Sequence, residues 1–321
     1  MKQAAATAAG VKPRVKKKKG LLYDLRKHWI MWLMLVPVIV FFFIFNYIPM
    51  AGVYLAFTNF SFKGGLFGSP WVGMQNFKTL WDQGKIAYLT RNTVLYNVAF
   101  IFLGNFLQIA AAIVLSRMTN KFMKKSYQTI MFLPYFVSYV IVQAFSYALF
   151  NSGSGMVTMM IRSLTGNTNF APYSTPGIWK YIIVLVYLWK QIGYGTVVYL
   201  AAITSIGDDY YEAAQIDGAT VMQQIRYITL PLMKTVIIMM FIMAVGRIFY
   251  SDFGLFYQVP RDSNTLYNYV YTLDVYVYKQ LKTSTTGMAS AAAFVQSVAG
   301  CITILTANAI VRKIDRESAM I

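Results

Sequence analysis

Hydrophobic positions fall into six long runs, at 29–57, 93–115, 129–150, 178–204, 233–256 and 287–311, with polar segments between them. Each run reaches or exceeds the roughly 20 residues that a helix needs to cross a bilayer. The pattern predicts an all-α membrane protein of six transmembrane helices. The first run is longer than a bilayer requires and contains Pro37 and Pro49, so a kink or a tilt is expected there. Around this six-helix domain (29–311), the chain has a basic tail at 1–28 and a short second tail at 312–321. An even number of crossings puts both tails on one side.

Charge identifies that side. Of the 29 Lys and Arg residues, nine lie in 1–28, including "KKKK" at 16–19, against one acid, Asp24. The loop at 116–128 adds Arg117, Lys121, Lys124 and Lys125 without an acid. Basic residues flanking apolar runs mark the cytoplasmic face and its anionic lipids, so both termini are predicted inside. A net charge of +18 is thereby explained without nucleic acid. The first apolar run far exceeds the 7–15 residues of a signal-peptide core, so it is expected to remain as an anchor. Outer loops are expected at 58–92, 151–177 and 258–285, with a short surface helix at 156–164.

Composition narrows the chemistry. Hydrophobic residues make up 57% of the chain and charged ones 12%, far from globular usage. One cysteine, Cys301, excludes an intrachain disulfide. With one histidine and no ligand spacing, a metal site is disfavoured. No nucleophile–base–acid set is legible, and no G-x-x-x-x-G-K-[ST] phosphate loop occurs, so the chain is read as non-catalytic, with no ATP site of its own.

One polar loop, 205–231, stands out against this background. Asp208, Asp209 and Glu212 fall within five positions of a chain with 11 acids in all. The local code is helix–turn–helix. Asp209 with Glu212 fits a capping box, Gly218 permits a left-handed turn, Thr220 with Gln223 fits a second box, and Pro231 precedes re-entry into the membrane. Ala213 and Ala214 keep one helix face low, and Glu212 and Asp217 offer charges to a basic partner. A solvated loop with incidental caps fits the same local pattern.

The full spacing is more specific. Glu212-Ala213-Ala214, three residues, Gly218, nine residues, then Ile228-Thr229-Leu230-Pro231 resembles the EAA loop of ABC-importer permeases. The segment "WVGMQNFKTLW" (71–81) is similar to one that follows the first span in sugar permeases. "YIPMAGVYLAFTNF" (47–60), "LWKQIGYGTVVYLAAI" (188–203) and "DFGLFYQVPRDSNTLY" (252–267) resemble the polysaccharide branch, which is similar to the maltose-transporter permeases. One departure is Gly207, near which many carbohydrate permeases have proline. The resemblance implies a type I ABC importer permease fold with cytoplasmic coupling helices, in a bacterial cell membrane. Glu212, Ala213, Ala214, Asp217 and Gly218 would dock a separate ATPase, where ATP and Mg bind. Implied partners are a second homologous permease, two ATPase subunits, an extracellular solute-binding protein and an oligosaccharide substrate.

Within the spans, ionisable residues are costly and mark candidate sites. Lys190, Gln191 and Tyr194 share one stretch of span four; Arg247, Ser251 and Asp252 share span five. By similarity to the maltose permease, the sugar-contacting positions fall on Lys190, Gln191, Tyr194, Ala244, Arg247, Ile248 and Ser251. Two cations among them point to an acidic oligosaccharide. The same residues also fit a purely structural ion pair, Arg247–Asp252 or Lys190–Asp252. An ATP-independent transporter or channel using Lys190, Arg247 and Asp252 as an ion relay stays open, as does a membrane scaffold. Asn97, Asn105, Gln108, Gln143, Gln296 and Asn308 read as interhelical hydrogen-bond partners.

Overall fold

The computed structural model describes residue 23, residues 27–283 and residues 285–314. Most of the predicted tail at 1–28, with its "KKKK", and most of the tail at 312–321 lie outside the described residues. The chain divides into two units, one ending at Val53 and one beginning at Tyr54.

In the first unit, α1 (Trp29–Phe42) runs into a π-helical turn, Phe43–Tyr47, and a short helix, Ile48–Met50. Where a kink or a tilt was expected, the described residues show a π turn just before Pro49. Such a turn sheds the regular ladder bond that proline cannot donate.

The second unit is helical, with α2 at Gln75–Asp82, α3 at Lys85–Ser116, α4 at Lys121–Phe136, α5 at Tyr139–Phe150 and α6 at Met156–Thr165. Next come α7 (Trp179–Thr204), α8 (Asp208–Ile216) and α9 (Val221–Gln224). The chain closes with α10 (Lys234–Val245), α11 (Phe253–Gln258), α12 (Leu273–Lys282) and α13 (Thr286–Ile314). Four stretches, Trp29–Phe57, Lys85–Ser116, Pro176–Thr204 and Thr286–Lys313, are long and apolar enough to cross a membrane. The predicted surface helix at 156–164 is α6. Helix α12, inside the loop at 258–285, was not predicted.

Two predicted spans are not single rods. The span at 129–150 is α4 and α5, bent by 98°. The span at 233–256 is α10, a non-helical stretch at 246–252, and α11. Breaks inside a bilayer expose backbone groups that water cannot reach, and each must be satisfied by protein.

At the first break the donor is Lys190. Its ammonium, on a residue only 6% exposed, donates to the carbonyls of Pro134 (3.2 Å), Tyr135 (2.8 Å) and Val137. Those oxygens lie at and just beyond the C-terminus of α4, where a cation is also favoured by the helix dipole; the Pro134 oxygen also accepts the Val137 N–H at 3.2 Å. Gly193 lets α7 come this close. A Cβ there would lie 2.1 Å from the Met131 carbonyl oxygen of α4.

Two apolar clusters hold the unit together. The larger joins Tyr96 and Phe100 of α3, Ile183 and Val186 of α7, Leu255 and Phe256 of α11, and Ala291 and Ala292 of α13. Phe100 and Tyr187 stack with centroids 3.7 Å apart. A second cluster packs Ala112 and Leu115 against Tyr199, Leu200, Ile203 and Met233.

The Lys190→Met substitution removes the donor shared by three carbonyls at the α4–α5 break. It is expected to cost about 3 kcal/mol, the scale of an unsatisfied buried polar group. The loss reads out as a lower thermal unfolding midpoint of the detergent-solubilised complex.

Candidate functional site

The break in span five opens a cavity of 370 Å³, lined by α3, α7 and residues 244–252. Its volume lies at the small end of the range of ligand pockets. Gly246 begins the break, and a side chain there would press within 2.8 Å of Ile304. The freed backbone is held from three directions. Asn97 of α3 donates to the carbonyls of Ile248 (3.0 Å) and Tyr250 (2.9 Å). Gln296 of α13 donates to Phe249 O (2.8 Å) and to Asp274 Oδ1 (3.1 Å). From α12, Asp274 Oδ2 accepts the Ser251 N–H at 2.6 Å and sits 2.7 Å from its hydroxyl.

Four of the seven predicted substrate positions, Gln191, Ala244, Arg247 and Ser251, line this cavity together with Asn97, Tyr187, Tyr250 and Asp252. Three do not. Lys190 is turned to the α4–α5 break. Tyr194 is exposed and stacks on Tyr135 with centroids 5.1 Å apart. Ile248 contributes its carbonyl to Asn97.

Within the cavity, Arg247 is exposed and none of the hydrogen bonds or ion pairs among the described residues involves its guanidinium. The ion pairs weighed as alternatives, Arg247–Asp252 and Lys190–Asp252, are not formed among the described residues. Asp252 instead accepts from the Tyr139 hydroxyl at 2.6 Å and caps α11 through the Leu255 N–H at 3.3 Å. An arginine freed from internal pairing can fork two parallel bonds onto a carboxylate or other anion. Asparagine and glutamine around it supply neutral donors and acceptors suited to hydroxyl groups.

Reading the sequence missed Asp274 and Tyr139. Asp274 sits in α12, a helix that had not been predicted, and Tyr139 looks like any other interfacial aromatic. Asn97 and Gln296 were read as hydrogen-bond partners between helices, and they make such bonds here, across the cavity wall.

The second site is the polar loop. Helix α8 starts two residues earlier than its acids implied. Gly207 is the N-cap and no side chain caps it, so the expected Asp209–Glu212 box is not formed. Asp208 and Asp209 lie instead in the first turn, where they complement the helix dipole. Gly218 has φ +73°, and the Ala219 N–H returns to Ala214 O at 2.8 Å, which closes α8 with a left-handed turn. The Thr220–Gln223 capping box is present at the start of α9. Glu212, Ala213, Asp217 and Gly218 are exposed and Ala214 is half-buried. Beside them Ile216 is 87% exposed and Met222 71% exposed, apolar side chains uncovered in an otherwise polar loop. Their signal was present in the sequence, as isolated large hydrophobics flanking the hinge.

The family described as "Binding-protein-dependent transport system inner membrane component" matches residues 104–316. The chain is 30% identical to the polygalacturonan/rhamnogalacturonan transport system permease protein YteP of Bacillus subtilis (strain 168), over 99% of each chain. It is 29% identical to the sn-glycerol-3-phosphate transport system permease protein UgpA of Salmonella typhimurium (strain LT2), over 85% of this chain and 89% of that one. Among solved structures it is similar to a chain of a bacterial ABC transporter involved in the import of the acidic polysaccharide alginate. The TM-score is 0.83 at 30% identity, covering 92% of this chain and 99% of the other. A bacterial alginate ABC transporter in complex with an alginate pentasaccharide-bound periplasmic protein matches at TM-score 0.82 and 29% identity, over 92% of this chain and 98% of that one.

If Asp274 fixes the cavity wall, Asp274→Leu strands the Ser251 N–H and is expected to lower stability by about 2 kcal/mol. Asp274→Asn keeps an acceptor for that N–H and is expected to recover most of the loss. Thermal unfolding of the two variants checks the difference.

Proposed function

The chain belongs to the family of binding-protein-dependent transport system inner membrane components, and on that premise we propose how its cavity and polar loop serve import. It is a multi-pass membrane permease of an ATP-driven carbohydrate importer. The substrate proposed for the 246–252 cavity is an acidic oligosaccharide. One observation carries this reading: Arg247 presents to the cavity a guanidinium that none of the described hydrogen bonds or ion pairs engages. A sugar carboxylate supplies the missing partner, while Gln191, Asn97 and the tyrosines meet its hydroxyls and ring faces. Only one of the two cations that first pointed to an acidic sugar remains in this role, because Lys190 is engaged at the α4–α5 break. The likeness to the transporter of the acidic polysaccharide alginate supports the reading.

The proposed assembly contains this permease, a second homologous permease, two ATPase subunits and an extracellular solute-binding protein. The complex with a ligand-bound periplasmic protein among the similar structures supports that last partner. ATP and Mg sit in the ATPases. The loop at 205–231 faces them from the cytoplasm, on the side where the positive-inside charge pattern places both termini. Glu212, Ala213, Ala214, Asp217 and Gly218 form the docking face. Ile216 and Met222, uncovered in this chain, add apolar area for a complementary cleft. Closure of the ATPase dimer moves α8 and α9 and, through the chain itself, α7 and α10. The cavity then turns from the cytoplasm toward the docked binding protein, which the loops at 58–92, 151–177 and 258–285 receive. The ATP-independent relay loses its support, since Lys190 and Asp252 are both engaged in capping bonds.

Two measurements test this reading. Arg247→Gln is expected to reduce uptake of uronic-acid oligosaccharides by reconstituted transporter about tenfold or more, the effect of losing one charged hydrogen bond. Equal uptake by parent and variant would remove the acidic-sugar assignment. Separately, Gly218→Pro cannot adopt positive φ, and Glu212→Ala removes the docking charge. Each is expected to weaken ATPase co-purification about tenfold or more, and normal yield from both would remove the coupling role.

A further inference from the structure

Helix α3 reaches the polar loop through one residue that neither the motif nor the cavity accounts for. Arg117 follows directly on α3, and its Nη1 donates to Gln224 Oε1 of α9 at 2.8 Å. The same guanidinium lies over the Tyr211 ring of α8, 5.0 Å from its centroid. Its Nη2 is buried with no protein acceptor among the described residues, so the Gln224 bond and the ring face are what fix the group.

Both contacted residues are themselves anchored. Gln224 is 3% exposed and donates to Ala219 O in the turn between α8 and α9. The Tyr211 hydroxyl is 3.0 Å from Thr229 Oγ1, on a residue 2% exposed. Arg117 therefore grips both arms of the hinge at once. A planar guanidinium can stack on a ring and donate in its own plane together, which an ammonium cannot reproduce.

The chain itself joins the loop only to α7 and α10. Helix α3 is remote in sequence, 107 residues from Gln224. Yet α3 carries one wall of the cavity through Asn97, Phe100 and Ile101, and Asn97 holds the broken backbone of span five. Arg117 and Asn97 lie on a single unbroken helix and its cap, about 30 Å apart at 1.5 Å per residue. A packed helix of that length moves as a rod. We propose that Arg117 is a positioning residue for transport: it harnesses α3 to the moving loop, so that ATPase closure shifts the α3 wall of the cavity in step with the α10 wall.

This rests on the ATP-driven reading above, and the test separates the two. The assembled transporter, with Cys301→Ser as background, carries either Ile101→Cys in the α3 wall or Ala244→Cys in the α10 wall. The labelling rate by a membrane-impermeant maleimide is measured without nucleotide and after trapping with ATP and vanadate. With Arg117 intact, both reporters are expected to change rate about fivefold or more, the lower end of ordinary coupling. With Arg117→Ala, the ATPase subunits still co-purify and the Ala244→Cys reporter still responds, but the Ile101→Cys reporter does not. Arg117→Lys falls between. An unchanged Ile101→Cys response in Arg117→Ala overturns the proposal, as does loss of both responses, which would make Arg117 part of the loop as a whole. Should Arg117→Ala not assemble, Tyr211→Leu is judged by the same criteria. Silence of both reporters with Arg117 intact instead rejects the ATP-driven cavity reading, and the proposal with it.

Discussion

A peptide group in hydrocarbon has no water to turn to, so every interruption of a transmembrane helix needs a named partner inside the protein. This chain interrupts two of its six predicted spans and answers each break with polar side chains from other helices. Lys190 caps the end of α4. Asn97, Gln296 and Asp274 satisfy the stretch between α10 and α11. Those bonds fix how the broken helices sit against their neighbours, inside a unit that two apolar clusters hold together.

The second break is also where the cavity lies, and the coincidence has a physical basis. A regular helix presents only side chains, spaced by its own repeat. An unwound stretch makes room, and the side chains that satisfy it bring polarity to the same place. The arginine within it is the one cation of the cavity, flanked by amides already held in position. Preorganised polar groups cost little further ordering when a solute arrives. Between the two breaks, Tyr139 and Asp252 form a direct bond, so that the bend of span three and the cap of α11 are tied together.

Below the cavity, the polar loop has the construction of a lever: two short helices set by a left-handed glycine, exposed on one side and gripped on the other. Its exposed side carries Glu212, Asp217, Ile216 and Met222. The gripped side is held by Arg117, whose guanidinium touches both helices. Rigid helices lead from this grip and from the loop's own ends to opposite walls of the cavity.

Much of this was legible along the chain. Apolar runs of bilayer length located four spans outright, since hydrocarbon thickness sets a length that a one-dimensional pattern reveals directly; two more are bent helix pairs, the later one at Val221–Val245 where 233–256 had been expected. The spacing from Glu212 to Pro231 marked out the polar loop for a similar reason: the Gly218 turn, the Thr220–Gln223 cap and Pro231 are local in sequence. Similarity to the maltose permease pointed to Gln191, Ala244, Arg247 and Ser251, which line the cavity, and equally to Lys190, Tyr194 and Ile248, which do not. Tertiary structure alone decided the rest. Whether Lys190 meets a solute or a severed helix end depends on where α4 stops, more than 50 residues away in sequence, and on how closely α7 approaches it across Gly193. Asp274, Tyr139 and Arg117 take their roles from partners about 20 to more than 100 residues away. A hydrophobic pattern records which residues avoid water. It does not record which buried polar group each break will require, because that pairing exists only once the helices have met.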